Sequence, residues 1–436
     1  MAFPKKLRLW GIGGVGMSAI AQHLLQQGHI ITGYDREPSI FTQRLEALGI
    51  PIDYEPNPEA AAQAEGIIYT PAIPSEFPER SVAESLALPQ WRRAQALAEI
   101  VHSYDVLAVA GAHGKTTTTA ILTWLLHRLG ESPTAFVGGF MRNFASNYLF
   151  GRSRWAVVEA DEYDRAMLLL QPAHAIIQST EADHLEIYGS PEELLKAYKH
   201  FAQQVKGVLV LGPSVPDLEV PALRYSLEGY EMHEGKVRFH YRWDGRTRTA
   251  EWQQIGRHFA ENAAAALTLM EAIGFDFEQL QKALSEFVGV ERRLNVFPAG
   301  RHIVVSDYAH HPTEIRRTLE AIRQAFPTHK LVAIFQPHLY SRTVFFAQEF
   351  AHALSEADLV ILLPIYAARE PSTPHVSSRL ISQHLTVPYR EIVPLGTDMS
   401  WFESMPFELP AVFAFMGAGD VDRWVLPAYD LLTKMA

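Results

Sequence analysis

Lys115 and Thr116 stand directly after Gly111-Ala112-His113-Gly114 and open a run of threonines, Thr116 to Thr119. An ammonium and a hydroxyl at the start of a helix suit one chemistry, the binding of a nucleoside triphosphate with its Mg²⁺. The N–H groups of a helix's first turn lack intrahelical partners, and the dipole is positive there, so an anion is stabilised before any side chain acts. Gly111, Ala112, His113, Gly114, Lys115, Thr116 and Thr117 are therefore the candidate phosphate loop. The elements that must position it are a short apolar strand, 106–110, and a helix whose apolar face runs through Ile121, Leu122, Leu125 and Leu126. The usual pattern G-x-x-x-x-G-K-[ST] needs glycine at 109, where this chain has Val109. The loop is a shortened relative of that pattern. A glycine-rich turn with a threonine cap is the plainer alternative, but consecutive β-branched residues start helices poorly without another use.

A second glycine-rich turn lies near the N-terminus. A strand over 7–12 runs into Gly11-Ile12-Gly13-Gly14-Val15-Gly16-Met17-Ser18, and a helix follows through Ala19, Ile20, Leu24 and Leu25. A further strand, 30–34, ends at Asp35. G-x-G-x-x-G after a strand, with an acid about 20 residues on, is a dinucleotide fingerprint. By itself it places a phosphate-bearing ligand on a helix N-terminus without identifying it; a turn that needs glycine only for close packing is the alternative. Residues 66–69 form another buried strand leading to a proline-rich loop that begins Thr70-Pro71, and 91–103 reads as a helix.

Two later strands end in acids. Residues 155–158 lead into Glu159-Ala160-Asp161-Glu162-Tyr163-Asp164, and 174–180 into Glu181-Ala182-Asp183-His184. A carboxylate at the carboxyl end of a buried strand, beside a phosphate loop, is where a Mg²⁺ ligand belongs. Glu159 and His184 are the candidates, against a solvated acidic loop and a structural histidine. The helix 257–273 is rich in small residues and suited to close packing on a sheet. From 299 onward the chain repeats a parallel α/β rhythm, with strands at 302–305, 331–335, 359–363 and 412–416. Their ends carry Asp307-Tyr308-Ala309-His310-His311, Gln336-Pro337-His338-Leu339-Tyr340-Ser341-Arg342 and Gly417-Ala418-Gly419-Asp420.

The 436 residues suffice for two to four domains. With 38 Lys and Arg against 49 Asp and Glu, the net charge is −11, which argues against nucleic acid as a partner. Polyanions must then be held by local features. No cysteine is present, so disulfides, thiolate catalysis and Cys-ligated metals are excluded. The first residues lack the apolar core of a signal peptide, and no run approaches the 18 or so apolar residues of a membrane span. A cytoplasmic protein with no membrane partner is expected.

The ordered set G-I-G-G-V-G-M-S-A-I-A, G-A-H-G-K-T-T-T-T, E-A-D-E-Y-D, E-A-D-H, G-V-E-R-R, D-Y-A-H-H-P-T-E-I, Q-P-H-L-Y-S-R-T and G-A-G-D resembles the Mur ligase superfamily along essentially the whole chain. The resemblance implies an α/β protein of three domains: an N-terminal Rossmann-like domain for a UDP-sugar (1–104), a central P-loop ATP-binding domain (105–298) and a C-terminal Rossmann-like domain for an amino acid (299–436). It implies an ATP-dependent ligase joining L-alanine to UDP-N-acetylmuramate through an acyl phosphate, with a sibling that recycles a tripeptide onto the same sugar as the alternative. The NAD(P)-dependent oxidoreductase suggested by residues 11–35 alone would leave Lys115, Glu159 and His184 without a use.

By the same resemblance, Lys115 bridges the ATP phosphates, Thr116 and Glu159 hold one Mg²⁺, and Glu159 and His184 a second. His258 and Asn262 lie by the adenine, Arg293 by the phosphates and Asp307 by the ribose. Tyr308, His338 and Arg342 frame the alanine pocket, with Arg342 on its carboxylate. Gly11, Gly13, Gly14, Val15, Gly16, Met17, Ser18, Asp35 and Thr70 bind the UDP moiety. Lys199, at a spacing from His184 where some members carry a carbamylated lysine, is expected on a solvated helix face.

Overall fold

A computed structural model of the chain describes residues 3–181, 185–233, 236–368, 370, 371, 373–391, 399–403 and 410–435. Three sheets carry the fold. The first is fully parallel, built from β1 (Lys6–Trp10), β2 (Ile30–Tyr34), β3 (Ile52–Asp53), β4 (Gly66–Tyr69) and β5 (Gln90–Arg92) in the order β3-β2-β1-β4-β5. The chain leaves β1 toward one edge and returns to its other side at β4. The carboxyl end of β1, where the first glycine-rich turn begins, is thus the point at which the winding reverses.

The second sheet contains β6 (Asp105–Ala110), β7 (Thr134–Met141), β8 (Ser146–Leu149), β9 (Trp155–Glu159), β10 (His174–Ile177), β11 (Leu209–Leu211), β12 (Leu223–His233), β13 (Lys236–Trp243) and β14 (Arg246–Trp252). Their order is β14-β13-β12-β11-β10-β6-β9-β7-β8. Strand β6 lies between β9 and β10, parallel to both, with Val109 opposite Glu159 and Ala110 opposite Ile177. That register brings the Lys115 loop and both acid-bearing strand ends to one edge of the sheet. The antiparallel hairpin β7–β8 was not anticipated from the sequence.

The third sheet holds β15 (Asn295–Ala299), β16 (His302–Asp307), β17 (Lys330–Phe335), β18 (Leu359–Leu362), β19 (Tyr389–Glu391) and β20 (Ala411–Met416), ordered β15-β16-β20-β17-β18-β19. Only β15 runs antiparallel to its neighbour. The marked motifs of the C-terminal region follow β16, β17 and β20, which are adjacent.

The chain forms two compact units, one of residues 1–229, 239–252 and 261–289, the other of 230–238, 253–260 and 290–436. In the first, a continuous apolar core joins residues of sheets one and two, among them Leu9, Ile20, Ile68, Ala108, Val158 and Ile177. Helix Val15–Gln26 packs on the β7–β8 hairpin: Asn147 Nδ2 donates to Val15 O at 2.6 Å, and His23 Nδ1 lies 3.0 Å from Tyr148 Oη. Under sheet one, Arg8 and Glu79 are both fully buried. Arg8 Nη2 donates to Glu79 at 2.6 Å, Trp10 Nε1 at 2.7 Å and Asn57 N at 2.8 Å, while Arg8 Nη1 meets Asp53 at 2.9 Å. So complete a set of partners is what allows these charges to be buried. Among the described residues no helix is long and apolar enough to cross a membrane.

Candidate functional site

Val109 is a fully buried strand residue, so the position where the longer loop would have its first glycine belongs to the sheet here. The turn begins at Gly111, with φ 127°, and a Cβ there would lie 2.8 Å from the backbone N of Ser179. It ends at Gly114, with φ 84°, where a Cβ would come 2.4 Å from Asn262 Oδ1. Both positions combine a left-handed backbone with a close approach, and only glycine satisfies both. His113 locks the turn from inside: its N–H donates to Ser179 Oγ at 3.1 Å, and its Nε2 lies 3.2 Å from Glu181.

Helix Lys115–Arg128 starts at Gly114 with no side chain capping it, so the positive end of its dipole lies at the loop. The threonine run has a use at nearly every residue. Thr116 Oγ1 donates to Glu159 Oε2 at 3.3 Å, Thr118 Oγ1 accepts from Gln178 Nε2 at 2.7 Å, and Thr119 Oγ1 donates to Lys115 O at 2.8 Å. Thr117 is buried beside them, whereas Ala112 is half-buried on the loop. Deeper in the helix, Ile121, Leu122, Leu125 and Leu126 are wholly buried. Each contributes roughly 1.5–3 kcal/mol, enough to hold the loop's helix rigidly.

Lys115 turns back across its own loop. Nζ donates to Gly111 O at 2.7 Å and to both oxygens of Glu162 at 2.8 Å. Burial alone would lower the ammonium, but Glu162, Asp161 and Glu159 outweigh it and hold Lys115 above its ordinary value. Glu162, only 1% exposed, is pushed upward by burial against the pull of Lys115. Glu159 accepts from Gly138 N at 2.5 Å with one oxygen and faces Thr116 with the other. A threonine hydroxyl and a strand-end carboxylate are hard oxygen donors, the set a Mg²⁺ ion takes beside a phosphate loop. His184 lies outside the described residues. Glu162 carries no local sequence signal of this role, because its partner Lys115 lies 47 positions away.

Asn262 sits beneath the loop, against Gly114. It is 7% exposed and accepts from Gln178 Nε2 at 3.3 Å, and Gln178 in turn accepts from Tyr225 Oη at 3.1 Å. His258 lies one turn earlier on helix Arg257–Ala272, its ring 4.3 Å from that of the buried Phe259. Lys199 is on a partly exposed helix face and pairs with Glu219 at 2.6 Å.

At the first glycine-rich turn, Gly13 N donates to Asp35 Oδ2 at 2.7 Å and Arg36 N to Asp35 Oδ1 at 2.8 Å. Asp35 therefore braces the turn. Gly11 has φ 77° and packs on Thr70, whose Cγ2 would lie 2.4 Å from a Cβ. Gly13, Gly14, Val15 and Gly16 retain exposed surface. Met17 and Ser18 are 1% and 0% exposed, so only their backbone could meet a ligand at the turn. Ser18 Oγ donates to Val15 O at 2.9 Å and accepts from Asn147 at 3.1 Å. Their side chains belong to the packing of the helix on the hairpin, because the helical period turns them inward after Gly16.

The second unit gathers the C-terminal candidates in two groups. Asp307 is buried at the end of β16, accepting from Leu294 N at 2.6 Å and Ala309 N at 2.7 Å. Burial pushes its carboxyl up to about 6, against Arg293 and those two N–H donors. The carboxylate thus braces the 292–294 segment, and a ribose would have to share oxygens already engaged. Arg292 and Arg293 hold their guanidinium carbons 4.9 and 5.0 Å from the Tyr308 ring. A row of rings runs from Tyr308 to His310 (5.3 Å), to His338 (5.9 Å) and on to Tyr366 (5.9 Å, stacked). Arg342 lies on helix Tyr340–Phe345, whose first N–H groups donate to Glu370 at 2.6 and 3.1 Å. Leu339 precedes that helix with φ 68°.

Residues 6–105 match the description "Mur ligase family, catalytic domain", 109–270 "Mur ligase middle domain" and 292–407 "Mur ligase, glutamate ligase domain". The UDP-N-acetylmuramate–L-alanine ligase of Porphyromonas gingivalis W83 is 36% identical over 458 residues, spanning 99% of this chain and 100% of that one. The protein of the same name from Salinibacter ruber is 36% identical over 96% of this chain and 93% of its own. The crystal structure of UDP-N-acetylmuramate-alanine ligase MurC from Thermotoga maritima superposes with TM-score 0.84 at 28% identity, covering 99% and 98% of the two chains. A murein peptide ligase from Psychrobacter arcticus shares the fold at TM-score 0.72 and 21% identity, over 98% and 99% of the chains.

Proposed function

The chain belongs to the Mur ligase family, and from that premise we propose that it joins the amine of L-alanine to the carboxylate of UDP-N-acetylmuramate at the expense of ATP. This is a step of peptidoglycan-precursor synthesis, carried out in the cytoplasm. What favours L-alanine over a recycled tripeptide is the full-length identity to alanine ligases, against the lower identity to the murein peptide ligase. The single observation that carries the chemistry is the Lys115 loop with Thr116 and Glu159 at its mouth.

A carboxylate does not react with an amine until an oxygen becomes a leaving group. Transfer of the γ-phosphoryl group from ATP makes the acyl phosphate and releases ADP; the uncharged amine then attacks the acyl carbon, and phosphate departs with the former carboxylate oxygen. Such a reaction asks the protein for positioning and charge neutralisation rather than a nucleophile. In this reading Lys115, kept charged by its acidic neighbours, meets the transferring phosphoryl group. The first N–H groups of helix Lys115–Arg128 orient the triphosphate. Thr116 and Glu159 would hold one Mg²⁺, and Glu159 with His184 a second; such ions would neutralise phosphate charge. Arg342 takes the amino acid's carboxylate bidentately, with Tyr308 and His338 beside it. Arg293 serves the ATP phosphates, His258 and Asn262 the adenine side. Asp307 lies by the ribose and also holds the 292–294 segment in place.

The Gly11–Gly16 turn, braced by Asp35 and Thr70, takes the UDP moiety through backbone N–H groups. Three functional regions, 1–104, 105–298 and 299–436, go with these roles. The test is ADP release by purified protein given UDP-N-acetylmuramate, ATP, Mg²⁺ and either L-alanine or the tripeptide. Release with L-alanine is expected; release with the tripeptide alone would contradict the assignment.

A further inference from the structure

Gly16 closes the first turn, and the space above it is filled by the side chain of Arg93. A Cβ on Gly16 would lie 2.9 Å from Arg93 Nη1 and 3.2 Å from Arg93 Cδ. The last glycine of such a turn ordinarily lets helix and strand pack closely; here it admits a guanidinium. Arg93 opens helix Arg93–Val101, and its Nη2 donates to Asp161 Oδ2 at 3.2 Å, the two side chains being 24% and 31% exposed. Asp161 stands between Glu159 and Glu162. One guanidinium is therefore laid against the first glycine-rich turn and tied to the acidic segment of the second.

A cation beside the first turn of helix Val15–Gln26 faces the positive end of that helix, an arrangement disfavoured unless an anion joins it. Asp161 answers only in part, because a partly exposed ion pair is screened and weak. Arg93 Nη1, directed over Gly16, presents the second edge of a planar fork, and that fork matches a phosphate group in geometry as well as charge. The neighbouring Arg92 behaves differently: it is 56% exposed and pairs with Asp164 at 3.4 Å.

We propose that Arg93 is a diphosphate-binding residue of the sugar-nucleotide site, held ready by Asp161 and drawn onto the ligand's diphosphate when the Gly11–Gly16 turn is filled. This rests on the reading of that turn as the UDP-sugar site. The probes are UDP, uridine and a non-hydrolysable ATP analogue, titrated into full-length protein by calorimetry, with saturation-transfer NMR for uridine. Arg93→Gln is expected to weaken UDP about tenfold or more, while uridine and the ATP analogue bind as to wild type. Arg93→Lys recovers only part of the loss. Asp161→Asn removes the tether and keeps the guanidinium, so UDP binds it at least as tightly as wild type. Unchanged UDP affinity in Arg93→Gln overturns the inference. So does an equal loss of UDP and uridine, or a loss in Asp161→Asn matching that in Arg93→Gln, since either marks a purely structural tether. If wild-type protein binds no UDP, the sugar-nucleotide reading falls and takes this inference with it, an outcome distinct from the others.

Discussion

Lys115 Nζ lies 2.8 Å from each carboxylate oxygen of Glu162, a residue 47 positions further along the chain and 1% exposed. The cation assigned to the phosphate loop is thus also half of a buried ion pair. Replacing it removes the charge proposed to meet the phosphoryl group and strands an anion.

These two effects separate by experiment. Lys115→Ala is expected to reduce ligation by at least about 10²–10³-fold while UDP-N-acetylmuramate still binds in calorimetric titration. Its stability in urea should drop by about 3–5 kcal/mol, the usual cost of breaking one side of a buried pair. Adding Glu162→Gln to Lys115→Met should restore most of that stability and none of the activity. Turnover near wild type in Lys115→Ala would remove the loop's assignment.

The glycines of the loop predict a graded series. Gly111→Ala places a Cβ 2.8–3.0 Å from backbone atoms of Gln178 and Ser179 at φ 127°, so the loop must move and affinity for an ATP analogue should fall more than tenfold. Gly130 has φ 85° and nothing within 4 Å of a Cβ. Gly130→Ala should therefore cost only about 1–2 kcal/mol of backbone strain and leave nucleotide affinity alone. Equal effects at the two positions would mean that close packing of the loop is irrelevant.

Asp307 gives a pH signature. Its folded value, about 6, is raised above the ordinary 3.8 by burial. The native state then holds a proton that the unfolded chain has released. Stability from this group is complete below about pH 4 and is lost as pH rises through about 6, falling about 1.4 kcal/mol per pH unit between. Asp307→Asn should lack that slope in urea melts recorded from pH 4 to 7. A wild-type curve parallel to that of the variant would refute the burial argument.

The Arg8–Glu79 pair should behave as structure rather than chemistry. Glu79 accepts from Arg8, Trp10 and Asn57 at 2.5–2.8 Å, so Glu79→Ala leaves the buried guanidinium with only the partly exposed Asp53 as its anionic partner and should cost about 3–5 kcal/mol in denaturant unfolding. Where the variant still folds, the KM for ATP should be unchanged.

How much of this was visible beforehand depended on range. The Lys115 loop, the Gly11–Gly16 turn and the acids after β9 rest on spacings of a few residues, and the α/β rhythm rests on strand-length apolar runs. Pairings across the chain were not visible. The β7–β8 hairpin, whose Gly138 N–H grips Glu159, carries Gly138-Gly139 and Asn143 among its residues and lacks clean alternation. Arg93 reaches Asp161 across 68 positions. Met17 and Ser18 carried the motif's letters, but the helix turned them into the core. Leu339 adopts φ 68°, a conformation no composition rule assigns to leucine.

The central claim is that ATP activates a carboxylate, and oxygen tracing tests it most directly. UDP-N-acetylmuramate labelled with ¹⁸O in its carboxylate is turned over with ATP and L-alanine, and the released phosphate is analysed by mass. One ¹⁸O is expected in each phosphate and one retained in the amide carbonyl of the product. Unlabelled phosphate, or ADP release with no amide formed, would contradict it.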